Sequence, residues 1–191
     1  MYSSRKNLVI EIYKDPRTVF RLRDVAILTE EDNAVSIGQR LNYAVKTGKL
    51  LNPRKGIYAK PGYNPLEIAC QLYTPSYVSL EYVLQKEGIV FQYDSRITLV
   101  AYLNRAIEIE GQGYLYRKIK GEILVDTIGI RRENNINIAS KERAFLDVVY
   151  LNPDYYFDNM ESLDKNEIMK ILPIYGSGRM YTRVKKLLGY V

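Results

Sequence analysis

The side chains best suited to recognition chemistry lie on one face of an expected helix at residues 34–47. Apolar residues recur there at helical spacing and form one stripe, made of Ile37, Leu41, Ala44 and Val45. The opposite face has no acidic residue and consists of Ser36, Gln39, Arg40, Tyr43 and Lys46. A guanidinium, an amide, hydroxyls and an ammonium are groups that bind base edges and phosphates. The pattern therefore makes this helix a candidate for contacting a nucleic acid.

Two further cations lie at the tip of an expected β-hairpin after this helix. Residues 49–59 hold two short apolar pieces around the turn-rich segment NPRKG, which places Arg54 and Lys55 at the tip. Three helices followed by a basic hairpin is the layout of a winged helix-turn-helix, whose third helix enters the major groove of DNA. In that arrangement we expect Gln39 and Arg40 to read bases and the lysines to bind phosphates. The hairpin would lie along the backbone or the minor groove.

The composition excludes several kinds of catalysis. The chain of 191 residues has no histidine and a single cysteine, Cys70. A histidine-based triad, a Cys-His pair, a zinc cluster and an internal disulfide are therefore excluded. We expect no enzyme activity, no cofactor and no metal.

Carboxylates remain the main alternative source of chemistry. Glu108 and Glu110 alternate on an expected strand and would share one face, as a small hydrolase or nuclease needs. A solvated edge strand is the favoured interpretation of this pair. The many tyrosines of the second half, such as those in the run YLYRKIK at residues 114–120, are interpreted as core residues rather than a stacking surface for single strands.

Charge and turn residues divide the chain into two expected domains. Residues 1–60 hold 12 Lys/Arg and 6 Asp/Glu, which accounts for the whole net charge of +6. Residues 61–169 carry 11 basic against 16 acidic residues, and the last 22 residues are basic again. The segment PGYNP at 61–65 interrupts both helix and strand. We therefore expect a winged helix-turn-helix at 1–60 and an α+β domain at 61–191.

The hydrophobic patterns predict the elements of both domains. In the first, helices are expected at 4–14, 22–29 and 34–47, with a short extended piece at 20–22. The second is expected to have a mixed or antiparallel sheet and C-terminal helices. Its expected strands are 89–93, 97–103, 106–110, 114–119, 123–127 and 136–138, and its helices are 65–72, 76–86, 140–150, 165–172 and 179–188.

Nothing in the sequence predicts a membrane location. No stretch approaches the roughly 18 consecutive apolar residues of a membrane span. The N-terminal residues lack the pattern of a signal peptide, because Glu11 interrupts the first apolar run. The expected location is the cytoplasm.

Two segments of the second expected domain, with parts of the first domain, are similar to the AbiEi-type antitoxins. The run SYVSLEYVL at 76–84, followed by GIV at 88–90, resembles a helix-then-strand signature of that family, and IASKERAFLDVVY at 138–150 resembles a later helix. The family's winged-helix pattern fits FRLRDV at 20–25, GKL at 48–50 and GIY at 56–58. The resemblance covers roughly residues 5–155.

The resemblance implies a transcriptional repressor that is the antitoxin of an abortive-infection, phage-defence operon. Such proteins bind inverted repeats upstream of their own operon and counteract a nucleotidyltransferase toxin encoded beside them. Inverted repeats need two readers, which favours a homodimer on the DNA. A winged-helix module that binds an acidic protein instead of DNA is the alternative.

Overall fold

The structure is a computed structural model that describes residues 6–190. It has an α+β architecture, with both helices and strands. The chain divides into two compact units, the first ending at Ile68 and the second beginning at Ala69. The sequence places the boundary eight residues earlier, near residue 60.

The first unit combines three helices with a three-stranded antiparallel sheet of order β1-β3-β2. Its elements in chain order are α1 (Leu8–Lys14), β1 (Val19–Arg21), α2 (Leu22–Thr29), α3 (Ala34–Lys46), β2 (Leu51–Arg54) and β3 (Ile57–Ala59). One apolar core joins them, and its fully buried members include Ile12, Phe20, Val25, Ile37 and Leu41. The helices form because each has an apolar face that this core covers.

Local capping sets the limits of these helices. The side chain of Asn7 accepts hydrogen bonds from the backbone amides of Val9 and Ile10, so α1 begins at Leu8. Part of the predicted helix at 4–14, including Ser4, lies outside the described residues. Asn33 caps α3 in the same way, and Gly48 follows its last turn in the left-handed conformation, with φ +69°.

A carboxylate ties the start of α4 (Pro65–Leu72) to the first unit. Glu67 is buried and accepts hydrogen bonds from the backbone amides of Thr18 and Val19, at 2.8 and 3.1 Å. The hydroxyl of Thr18 donates to the same carboxylate. These bonds satisfy the amides at the start of β1, and they explain why the first unit extends past the Pro-Gly segment at residues 61–65.

The second unit contains a six-stranded mixed sheet of order β6-β7-β5-β4-β9-β8. Strands β4 and β9 are parallel, as are β5 and β7, and the other neighbours are antiparallel. The elements after α4 are β4 (Ser76–Val78), α5 (Glu81–Lys86), β5 (Ile97–Ala101), β6 (Arg105–Ile109), β7 (Gln112–Lys118), α6 (Gly121–Val125), β8 (Ile130–Glu133), β9 (Ile136–Ala139), α7 (Lys141–Leu151), α8 (Lys165–Ile171), a 3₁₀ turn (Leu172–Tyr175) and α9 (Gly178–Leu187).

Three expectations for the second unit are wrong, and one of its strands is unexpected. Residues 76–78 form strand β4 instead of the first turn of a helix, because their side chains are buried between β5 and β9. Residues 123–127 were expected to be a strand, but α6 occupies most of that segment. Residues 89–93 form no strand, and β8 was not anticipated. Each segment is short, so its partners in the fold outweigh its own propensity.

Candidate nucleic-acid interface

Helix α3 is held against the first unit by one face and leaves the other in water. Ile37 and Leu41 are fully buried, and Ala44 is nearly so. The Asn33 side chain accepts the amide of Ser36 at 3.0 Å, which satisfies a backbone donor at the start of the helix. The helix therefore presents its polar side chains from a fixed support.

All seven residues predicted to contact DNA lie at the surface of the first unit. The exposed ones are Gln39, Tyr43, Lys46, Arg54 and Lys55. Ser36 and Arg40 are half-buried. None is packed into the core, so the surface that the sequence predicted is accessible to a partner.

Arg40 is held by its own unit. Its Nη1 lies 2.6 Å from Oε2 of Glu31, and its Nη2 donates to the backbone carbonyl of Lys6 at 2.7 Å. The side chains of Arg40 and Glu31 are 27 % and 13 % exposed. Although α3 itself has no acid on this face, Glu31 brings a carboxylate to it. The guanidinium thus joins α3 to the loop before it and to the segment that precedes α1.

The outermost row of α3 includes two residues that the sequence analysis did not select. Val35 is 71 % exposed and Asn42 is also exposed. With Gln39 and Lys46 they follow one another at intervals of four, three and four residues, so they share one face of the helix. That spacing is present in the sequence, but the neighbouring positions Arg40 and Tyr43 carry the stronger signals, a charge and an aromatic group.

The hairpin of β2 and β3 has a short, well-supported tip. Lys55 and Gly56 form the turn, and Gly56 has φ +80°, which favours glycine. The side-chain amide of Asn52 donates to the carbonyls of Arg54 and Ile57, at 3.0 and 2.7 Å. The predicted turn segment at 52–56 is therefore mostly strand, and only its last residues project.

Positive charge without an internal partner is concentrated between residues 46 and 55 of this unit. Most acids of the unit are already in ion pairs: Glu11 with Lys14, Asp15 with Arg17, Asp24 with Arg23, Glu30 with Lys6 and Glu31 with Arg40. Within the described part of the unit, the basic side chains that make no ion pair or hydrogen bond are those of Lys46, Lys49, Arg54 and Lys55. Their charge is therefore available to an anionic partner.

A groove of about 500 Å³ runs beside this surface, between α3 and the start of α1. Tyr43, Arg40 and Gln39 line it from α3, and Lys6 and Asn7 line it from the other side. Near its end, the hydroxyl of Tyr13 donates to the carbonyl of Lys49 at 2.9 Å. Tyr43 is 66 % exposed and lies between this groove and the outer row of α3.

The second unit contains an ion pair of a different kind. Arg143 and Asp147, one turn apart on α7, have fully buried side chains, with Nε and Oδ1 3.4 Å apart. Hydroxyls of Tyr77, Ser79 and Tyr175 donate to the carboxylate at 3.1, 2.8 and 2.7 Å. We call these five residues the buried cluster.

The buried cluster is satisfied internally. Arg143 donates to the carbonyls of Ile123, Asp126 and Ile128. Burial raises the pKa of the Asp147 carboxyl, and the Arg143 charge and the hydroxyl donors oppose that shift. Because neither charge reaches the surface, the cluster supports the fold of this unit rather than a reaction in solution.

The predicted pairing of Glu108 and Glu110 on one strand is wrong. Glu108 lies on β6, but Glu110 lies in the turn to β7 with φ +50°. The described residues contain no group of three or more His, Cys, Asp or Glu side chains placed to hold a metal ion. No helix in the described part of the chain has the length and apolar character needed to cross a membrane.

The basic C-terminal helix packs on its own unit through its apolar face. Met180, Val184 and Leu188 are buried, and α9 lies against α7. Arg179, Lys185 and Lys186 are exposed and form no ion pair within residues 6–190.

No protein-family model matches this chain, and no curated protein matches it.

Proposed function

We propose that the chain is a DNA-binding transcriptional repressor whose first unit is a winged helix-turn-helix. The order of its elements, helix-strand-helix-helix-strand-strand, and its three-stranded sheet support this proposal. In such a unit α3 enters the major groove, and the β2–β3 hairpin is the wing that lies along the backbone.

The observation that carries the proposal is the placement of the uncompensated cations. Lys46 and Lys49 lie at the end of α3 and just after it, and Arg54 and Lys55 lie at the tip of the hairpin. A duplex carries one phosphate charge per about 1.7 Å of its axis, and basic side chains bind it by releasing counterions. Charges on a helix and on the adjoining hairpin suit a duplex, because its major groove can accept the helix while its backbone lies against the hairpin.

Binding to duplex DNA at several salt concentrations tests this proposal. The probe is the DNA upstream of the chain's own gene, labelled for fluorescence anisotropy. We expect the triple variant Lys46→Ala, Arg54→Ala, Lys55→Ala to reduce the slope of log K against log salt by about 2 to 3, since each phosphate contact contributes roughly 0.9.

The C-terminal helix offers a matched control. The variant Arg179→Ala, Lys185→Ala, Lys186→Ala removes the same net charge from exposed positions of α9. We expect this variant to keep the slope of the unmodified protein. Equal losses in both variants would refute the proposed docking surface. No binding at about 50 mM salt would exclude DNA binding and favour the module that binds an acidic protein.

We also propose that the repressor acts as the antitoxin of an abortive-infection operon and counteracts a nucleotidyltransferase-type toxin. This part rests on the resemblance to AbiEi-type antitoxins. The two segments of the second unit that carry it contribute Tyr77 and Ser79, and Arg143 and Asp147, to the buried cluster. The two segments that resemble the family are thus in contact with each other in the core of the second unit.

Co-expression with the gene beside it tests the antitoxin role. We expect the neighbouring product alone to arrest growth, and the full chain to relieve the arrest. The triple variant Lys46→Ala, Arg54→Ala, Lys55→Ala leaves the second unit unchanged. We expect it to relieve the growth arrest although it represses less, which separates the two roles. A neighbour whose product is harmless, or whose arrest persists with the full chain, would exclude the antitoxin role and leave the DNA-binding proposal standing.

A further inference from the structure

The first three residues of the outer row of α3, which ends at Lys46, present two amides and one apolar group. Val35, Gln39 and Asn42 are exposed and recur at helical spacing over two turns. The side chains of Gln39 and Asn42 make no hydrogen bond with any residue in the described part of the chain. Their donors and acceptors are therefore free to bind a partner.

Each of these groups has a preferred counterpart in the major groove. A primary amide matches adenine, because it donates to N7 while it accepts from the N6 amino group. An apolar side chain contacts the methyl group that only thymine carries. Guanine is instead read by a guanidinium or an ammonium that donates to O6 and N7.

The arginine on α3 is already engaged. Arg40 directs Nη1 to Glu31 and Nη2 to the carbonyl of Lys6. The guanidinium fork that would bind guanine is thus turned toward its own unit, at the edge of the groove beside α1. Lys46 lies on the last turn of α3, five residues before β2 begins, and is assigned with the hairpin cations to phosphates.

We propose that α3 recognises A·T base pairs, with Gln39 and Asn42 binding adenines and Val35 contacting a thymine methyl group. This inference rests on the proposed function, because it concerns the surface assigned there to DNA. In it Arg40 is a positioning residue that fixes α3 to its neighbours and does not touch a base.

Selection from a randomised duplex pool tests the proposal. The full chain is incubated with the pool, and the bound duplexes are sequenced. We expect A·T pairs at the core of the selected site. We also expect Gln39→Ala and Asn42→Ala each to lower the preference at one position by about 5- to 150-fold, which corresponds to one bidentate contact. Asn166→Ala, which removes an exposed amide from α8, serves as the control and should keep every preference.

Replacing thymine by uracil isolates the contact of Val35. Uracil lacks only the methyl group, so we expect weaker binding by the unmodified protein at one position and no such effect in Val35→Ala. Arg40→Ala should leave the selected sequence unchanged even if it weakens binding.

The possible failures of this experiment are distinguishable. A selected core of G·C pairs, or preferences that persist in both amide variants, would overturn the A·T inference while DNA binding stands. Binding without any selection would do the same. Failure to bind any duplex in the pool would overturn the proposed function and the inference with it.

Discussion

Each unit contains an arginine paired with a carboxylate, and the two pairs differ in their access to water. Arg40 and Glu31 in the first unit are partly exposed, whereas Arg143 and Asp147 in the second unit are fully buried. At the surface, water screens a pair and competes with it, so the pair adds little stability. In the interior each charge depends on its partner, and the loss of one leaves the other without compensation. The first unit therefore keeps its arginine pair near the surface, whereas the second unit uses its pair to define its own core.

The largest effect is expected from Arg143→Met. The substitution leaves Asp147 buried without its cation, and the free energy of unfolding should fall by about 3–5 kcal/mol. Urea denaturation measures the change, and hydrogen exchange should locate the loss of protection in α7 and β4. Arg40→Met is the matched comparison, and its cost should stay near or below about 1 kcal/mol. Similar costs in the two variants would contradict the distinction between the pairs.

A smaller loss is expected from Tyr175→Phe. Its hydroxyl donates to Oδ1 of Asp147 at 2.7 Å, and a hydrogen bond to a charged group contributes about 1.5–3 kcal/mol. Denaturation of the variant should show a loss in this range. Tyr181 is half-buried, and its hydroxyl makes no hydrogen bond with any of residues 6–190. Tyr181→Phe should therefore change the free energy of unfolding by less than about 0.5 kcal/mol. If both variants lose the same amount, the buried cluster does not depend on this donor.

The first unit should respond to charge removal in DNA binding rather than in stability. Lys55→Ala should reduce the slope of log K against log salt by about 1, because the hairpin loses one phosphate contact. Its free energy of unfolding should change by less than about 0.5 kcal/mol, since Lys55 is exposed. Lys185→Ala on α9 should alter neither quantity. A change in stability without a change in the salt dependence would assign Lys55 a structural role.

The smallest effect is expected from Glu31→Gln. The change removes a negative charge from beside Arg40 and loosens the guanidinium, so DNA should bind more tightly, by less than about tenfold. Selection from the randomised pool should then show added preference for guanine beside the A·T core. Glu133→Gln, at the exposed end of β8, is the control and should change neither the affinity nor the preference. An unchanged preference in Glu31→Gln would mean that Arg40 stays away from the bases even without its ion pair.

Helices with local signals were predictable from the sequence. The predicted limits of α2 agree with the structure, and those of α3 differ by one residue at the end. Both helices have an apolar stripe, and α3 also has a cap at Asn33 and a glycine, Gly48, after its last turn. These signals come from residues close together in the chain, so the local sequence suffices to define the helix. The prediction of a strand at residues 123–127 is wrong, because the five-residue helix α6 that covers most of this segment carries no comparable repeat.

The candidate interface was predictable in its location and less so in its detail. Charge counting located the positive surface in the first sixty residues, and the outward positions of Gln39, Tyr43 and Lys46 followed from helical spacing. The pairing of Arg40 with Glu31 joins residues on α3 and in the loop before it, so the spacing on α3 alone could not show it. The spacing also places Asn42 outward, but an uncharged amide is a weaker signal in the sequence than the charged residues beside it.

By itself, the sequence determined the composition of the two regions: a cationic first part with an amphipathic third helix, and a longer second part with mixed charge. Only the tertiary structure decided which charges remain available to a partner. A charge is neutralised by whatever lies within a few ångströms of it, and residues such as Tyr77 and Asp147 come within hydrogen-bonding distance only when β4 and α7 pack together.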